Sequence, residues 1–213
     1  IESDKREGAE HAVAVTLPYS GERFSVPANV DIIGTMNTAD RSLALLDTAL
    51  RRRFDFVPLV PDTRDEAGAP LAGLFVTTAE GDISVCLMLQ RINERIEILY
   101  DRDHCIGHAY LTELKDIKEE PARFEALQAI FRNRILPLLE EYFFEDWGKI
   151  RLVLGDNQKQ DKALQFVIET KEHEQRLIEL FGNDHGLDDY ATQRCYRVQD
   201  TAFSQPVAYF GIY

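Results

Sequence analysis

The chain has 213 residues, a formal net charge of −13, 45% hydrophobic and 29% charged residues, an ordinary globular composition that excludes intrinsic disorder. No apolar run approaches the ~20 residues of a membrane span, and residues 1–6 are charged with no apolar stretch behind them, so they are not expected to be a secretory signal. Cys86, Cys105 and Cys195 are odd in number and form no C-x-x-C pair, so neither a disulfide framework nor a zinc site is expected and a reducing, cytoplasmic setting fits.

In chain order, residues 11–17 are β-rich, Pro18 to Glu22 are turn-forming, and Arg23-Phe24-Ser25-Val26 can return as the second arm of a hairpin. Val30-Asp31-Ile32-Ile33-Gly34-Thr35-Met36 has the apolar, β-branched character of a strand buried on both faces. Residues 42–53 carry Leu43, Leu46, Ala49 and Leu50 at helical spacing, and residues 54–59 alternate as a short strand before prolines stop them. Residues 61–82 are rich in Pro, Gly, Ala and acids and read as a connector. Beyond it the pattern turns helical. An amphipathic helix is expected over 83–99, a longer one over 121–144 with a kink or break at Pro137, and a short one over 145–155 ending at Gly155. The aromatic end, residues 206–213, is either an edge strand or a packed tail.

The chemistry concentrates in two stretches. Asn37, with Thr38-Ala39-Asp40-Arg41-Ser42, follows the buried strand at its C-terminal end, where open α/β sheets bind ligands. An amide there can both donate and accept, and so orient a water beside a γ-phosphate. One helix later stand Arg51, Arg52 and Arg53, whose planar guanidinium forks suit phosphate oxygens. Each feature has a commoner structural explanation: a turn or cap for the Asn, helix-dipole complementation or surface ion pairs for the arginines. The acids around Glu140 and Glu145 read as a solvated face, and Tyr142, Phe143, Phe144 and Trp147 as core packing. The histidines show no metal-ligand spacing, and no metal site is expected within the chain.

Taken together, the strand, the Asn37–Ser42 loop and Leu46-Asp47 through Arg53-Phe54 resemble the sensor-1 to arginine-finger segment of AAA+ NTPases of the McrB type. Pro18-Tyr19-Ser20-Gly21, Ile106-Gly107-His108-Ala109-Tyr110 and Leu138-Leu139-Glu140-Glu141-Tyr142-Phe143 share that wording. The resemblance implies an α/β plus all-α fold: the C-terminal portion of an AAA+ αβα core (hairpin, sensor-1 strand, finger helix, edge strand) over residues 1–60, the connector 61–82, an α-helical lid over 83–155, and an extension, 156–213, packed on the lid. It implies that Asn37 is the sensor-1 group positioning water, with Asp40 and Arg41 in the same loop. Arg52 and Arg53 become the fingers that act on a neighbouring subunit's nucleotide. His108 falls where AAA+ lids place a sensor-2 residue, usually arginine, and the departure favours a packed or capping histidine.

The sequence contains no G-x-x-x-x-G-K-S/T and no apolar strand ending in Asp-Glu. In the resembled family both lie upstream of residue 1. The chain is therefore expected to be part of a longer protein, and these residues alone neither to bind GTP or ATP with Mg²⁺ well nor to hydrolyse it. The resemblance further implies a homo-hexameric ring, a preference for GTP, an McrC-like endonuclease partner and DNA held by other parts of the complex. The acidity agrees, because such a surface repels nucleic acid on average. An ATP-driven remodelling protein of another AAA+ branch, or a non-catalytic AAA+-like assembly scaffold, are the alternatives.

Overall fold

In the computed structural model, residues 2–36, 52–170, 173–183 and 194–213 are described. The chain divides into two compact units, residues 1–59 and 60–213.

In the first unit, β1 (Val15–Thr16) and β2 (Arg23–Phe24) pair antiparallel, with Val15 opposite Phe24. Gly21, at φ 71°, supplies the left-handed step that lets its N–H reach Leu17 O. The rest is tied by polar bonds. The Arg6 guanidinium donates to Val30 O at 2.6 Å, Glu7 N–H to Val26 O at 2.9 Å, and Val13 N–H to Lys5 O at 3.0 Å. Residues 30–36 and 54–59, both expected as strands, run without strand pairing. A buried strand exists only with neighbours to pair it and faces to cover it, and among the described residues neither segment has them. Ile33 is 94% exposed and Leu59 93%.

The second unit holds every buried hydrophobic side chain among the described residues, from Ala69 onward. Part of the expected connector is a hairpin: β3 (Phe75–Thr78) and β4 (Gly81–Ser84) pair antiparallel, with Thr78 opposite Gly81 across a two-residue turn. The chain passes directly into α1 (Val85–Leu99), whose N-cap is Ser84. Its hydroxyl accepts the Leu87 N–H, while its own N–H donates to the Tyr213 hydroxyl at 2.9 Å. Val85, Met88, Leu89, Ile92 and Ile96 make the buried stripe. A short α2 (Ala109–Thr112) precedes α3 (Glu120–Ile130), a π-helical turn over Phe131–Ile135, and α4 (Leu136–Phe143). Pro137 explains the π turn. Proline has no N–H to give and its ring collides with the carbonyl four residues back; widening the preceding turn, so that Leu136 N–H reaches Phe131 O, relieves the clash without breaking the rod.

The helix α4 stops on two successive left-handed residues, Phe144 (φ 50°) and Glu145 (φ 62°). That turn throws Phe144 outward, 81% exposed, so it leaves the aromatic packing expected of it, whereas Phe143 is buried. Asp146 caps α5 (Trp147–Val153), which ends in a Schellman motif: Asp156 N–H to Arg151 O, Gly155 N–H to Leu152 O, and Gly155 at φ 71°. Next come β5 (Val167–Thr170), α6 (His173–Phe181) and β6 (Cys195–Val198), which pairs antiparallel with β5.

The chain closes with α7 (Asp200–Phe203) and α8 (Pro206–Phe210). Residues 206–213 are thus a packed tail, not an edge strand. Tyr209 is fully buried, with its ring 5.0 Å from Phe131 and 5.2 Å from Phe166, and its hydroxyl donating to Phe203 O. A buried ion pair sits under this tail. The Asp156 carboxylate accepts Lys159 Nζ at 2.8 Å and the N–H groups of Phe166 and Val167 at 3.0 and 2.8 Å, and the Lys159 ammonium lies 4.1 Å from the Phe166 ring centre.

Candidate functional site

The expected site residues divide by where they fall. Asn37, Asp40, Arg41 and Arg51, with most of the expected finger helix, lie outside the described residues. Arg52 and Arg53 sit in a turn of the first unit. Arg52 is exposed; Arg53 donates through Nε to Glu2 Oε1 at 2.8 Å, both partners half-exposed. Such an exposed pair contributes about 0–1 kcal/mol, so it restrains Arg53 without fixing it.

His108 belongs to the second unit and has a defined partner. Its Nδ1 accepts the backbone N–H of Asp62 at 3.0 Å, which fixes the lone pair on Nδ1 and the ring proton on Nε2. What holds His108 there is Asn93. This residue lies on the buried side of α1, 8% exposed, and grips one peptide unit at both ends: Oδ1 accepts Ile106 N–H at 2.7 Å and Nδ2 donates to Ile106 O at 2.9 Å. Ile106 is fully buried, so Gly107 and His108 follow a rigid point. The signal for Asn93 is in the sequence: an amide among the apolar positions of an amphipathic helix needs a partner, because an unsatisfied buried amide costs about 1–3 kcal/mol.

Asp62 is itself held. Its carboxylate takes Arg64 Nε and a terminal NH₂ at 2.9 and 2.8 Å, and this hydrogen-bonded guanidinium lowers its pKa to about 2. The Cys86 thiol donates to Leu71 O at 2.9 Å, with Arg64 O at 3.8 Å; burial pushes its pKa up. The cluster of Asp62, Arg64, Cys86, Asn93 and His108 straps residues 60–66 onto α1 and the 105–108 loop.

Neighbouring polar groups are structural. His104 Nδ1 lies 2.6 Å from Asp101 Oδ1, and its ring is met edge-on by Tyr100 and Tyr142, centres 4.2 and 4.9 Å away. Burial raises the Tyr142 pKa to about 12, which keeps that hydroxyl neutral. Among the described residues no group of three His, Cys, Asp or Glu side chains is arranged to hold a metal ion, and no helix is long and apolar enough to cross a membrane. Arg52 and Arg53 are the expected phosphate-contacting residues that fall among the described ones.

Two comparisons bear on this arrangement. Residues 84–151, from the Ser84 cap to Arg151 of α5, match the family "McrB, alpha-helical lid domain". Over 157 residues, 68% of the chain, the sequence is 39% identical to the "Type IV methyl-directed restriction enzyme EcoKMcrB subunit" of Escherichia coli (strain K12). The aligned part is 32% of that relative's length, so the chain spans about a third of it. The Ser84-capped helix, the Asn93-held loop with His108, and the rod from α3 to α4 all fall inside the matched lid. The chain is of the McrB type, and residues 84–151 form the alpha-helical lid of that family.

Proposed function

We propose that the chain is the sensor-1, arginine-finger and lid portion of an NTP-hydrolysing AAA+ ring motor, and that this motor drives DNA translocation for a modification-dependent restriction endonuclease. GTP is the expected fuel, a homo-hexamer the expected ring, and an McrC-like endonuclease the expected partner. The observation that carries the reading is the order of parts in one chain: the Asn37-to-Arg53 stretch stands upstream of the segment that matches the McrB lid. The relative's own name, a subunit of a methyl-directed restriction enzyme, supports the same assignment. Asn37, Asp40 and Arg41 are proposed to order the attacking water. The arginines neutralise phosphate charge across the subunit boundary, where one guanidinium can supply roughly 10³–10⁵ in rate. Both arginines are exposed, and the weak Arg53–Glu2 pair does not choose between them; either guanidinium can serve as the finger.

The test is phosphate release by the whole protein with GTP and with ATP, each with and without the partner subunit. GTP turnover that the partner stimulates is expected. Turnover of ATP alone would move the protein to a remodelling branch, and none with either nucleotide would make it a scaffold. In the active protein, Arg52→Ala or Arg53→Ala is expected to lower turnover, at least 10³-fold for the one that reaches the phosphate, with nucleotide binding retained. Mixing it with a P-loop variant is expected to restore part of the activity, since each subunit repairs a shared site; no rescue would count against fingers acting in trans.

A further inference from the structure

Within the second unit, α5 and the segment around β6 border a cavity of about 270 Å³, whose walls include Asp146, Gly148, Lys149, Arg151, Arg194 and Tyr196. Strand pairing sets Tyr196 opposite Glu169, and Arg151 of α5 meets both. Its guanidinium lies 5.9 Å from the Tyr196 ring centre, and Nη1 donates to Glu169 Oε2 at 3.4 Å. Nη2 donates to Gln165 Oε1 at 3.2 Å. Both bonds are long, and Nε is buried with no hydrogen-bond partner, so the fork keeps donors to spare. A buried donor without an acceptor is uncommon and calls for one from outside the fold. Glu169 is also shared, since Arg194 Nε stands 3.7 Å from its Oε1; one carboxylate serves two guanidiniums. On α5, Asp146 is taken up as the cap, accepting Lys149 N–H at 3.2 Å, with Lys149 Nζ at 3.4 Å. In a chain of net charge −13, a wall that sets Lys149, Arg151 and Arg194 against Asp146 reverses the local sign. Gly148 keeps this wall clear: a Cβ there would lie 3.2 Å from Asp146 Oδ1 and 3.3 Å from the Tyr196 hydroxyl.

We propose that this cavity is a phosphate-binding site, in which the Arg151 and Arg194 guanidiniums hold the oxygens, the Lys149 ammonium adds charge and the Tyr196 hydroxyl donates a further hydrogen bond. Donors converge from a helix on one side and a strand on the other. A tetrahedral phosphate offers oxygens in both directions, whereas a planar carboxylate satisfies a single fork. The volume is just below the ~300–1,000 Å³ of pockets for drug-sized ligands, which suits a phosphate with a small group attached rather than a whole nucleotide. The acidic chain repels a polyanion on average, so a small phosphorylated molecule is the expected source. The site is separate from Asn37–Arg53 in sequence and does not depend on the NTPase reading.

The experiment uses the 213-residue chain, which has no P-loop to compete for phosphate and a single tryptophan, Trp147, between Asp146 and Gly148. Its fluorescence is followed while sodium pyrophosphate is added, with sodium chloride of equal ionic strength as the control. A saturable change with pyrophosphate and none with chloride is expected. Arg194→Ala is expected to raise the Kd roughly tenfold, as suits the loss of one charge-assisted hydrogen bond, with thermal melting unchanged because an exposed pair adds little stability. Arg151→Lys keeps the charge but not the fork and is expected to weaken binding at least as much. If Arg151→Lys fails to fold, Arg194→Ala and Lys149→Ala, both at exposed side chains, carry the comparison. An eight-nucleotide thymidine strand is the second probe, expected to bind more weakly than pyrophosphate. Tighter binding of the strand would keep the phosphate site and assign it to a nucleic-acid backbone. No saturable response to either probe would overturn the proposal, and so would a response that Arg194→Ala and Lys149→Ala leave unchanged.

Discussion

Lys159 shows how a single side chain can be held at a cost and still be required. Its ammonium and the Asp156 carboxylate are both almost fully buried. Burial pushes the Asp156 pKa up and the Lys159 pKa down, each toward its neutral form, while the pair and two backbone N–H groups pull the other way. Removing one partner of such a pair typically costs about 3–5 kcal/mol, because the other charge is stranded. Lys159→Met is therefore expected to destabilise the fold by roughly that amount at pH 8. The sign with pH follows from linkage. A carboxyl whose folded pKa is raised binds its proton more tightly when folded, so stability falls as pH rises from the ordinary carboxylate range through the raised value. In Lys159→Met the loss should therefore shrink at pH 5. Urea denaturation at the two pH values measures it, and an equal loss at both would mean Asp156 is not a stranded charge. Asn93 and His108 belong to the same scale. Both were open to a reader of the sequence as residue types, His108 even as a doubtful sensor-2 position. The capture of Asp62 was not, because it joins residues 46 positions apart through a loop that no local pattern specifies.

Among the elements, those whose cause is local were legible. The 83–99 helix, the hairpin around Gly21, the stop at Gly155 and the strain at Pro137 each follow from spacing, caps or missing donors within a few residues. Residues 30–36 and 54–59 were read as strands because apolar or alternating runs favour pairing; whether pairing occurs depends on neighbours, which so short a run does not contain. The β3–β4 hairpin was hidden by its setting. Pro70, Gly73 and Gly81 mark turns, yet Phe75-Val76-Thr77-Thr78 between them is β-prone text that two more residues of turn convert into a hairpin. The α5 terminus offers the sharpest test at this scale. Gly155 sits at φ 71°, and a Cβ there would lie 2.7 Å from Gly211 O and 3.0 Å from an Arg95 guanidinium nitrogen. Gly155→Ala meets both backbone strain and a backbone clash, and is expected to lower stability by roughly 2 kcal/mol, read as a shift in the urea midpoint. A neutral substitution would show that the tail can lift away from α5 at little cost.

At the scale of the whole molecule, burial is unevenly shared. The aromatic cluster of Phe131, Phe166, Phe203 and Tyr209, the α1 stripe and Ile212 all belong to residues 60–213, while no described residue of the first unit is buried. Cooperative unfolding needs a core. Residues 60–213 expressed alone are thus expected to melt in one cooperative transition, by circular dichroism. A lid unit that fails to fold without residues 1–59 would contradict this. The acidic surface is compatible with the proposed division of labour, in which DNA is handled by other parts of the assembly.

Cys86 offers a way to watch the connector without a spectroscopic label. Its sulfur is covered by the carbonyls of Leu71 and Arg64, and burial raises its pKa, so a thiol-alkylating reagent finds little thiolate and a blocked approach. Modification must await the moments when residues 60–66 lift from α1. The rate at which this one thiol is capped is then a chemical clock for that lifting: slow when the strap is seated, faster when its His108 anchor is gone.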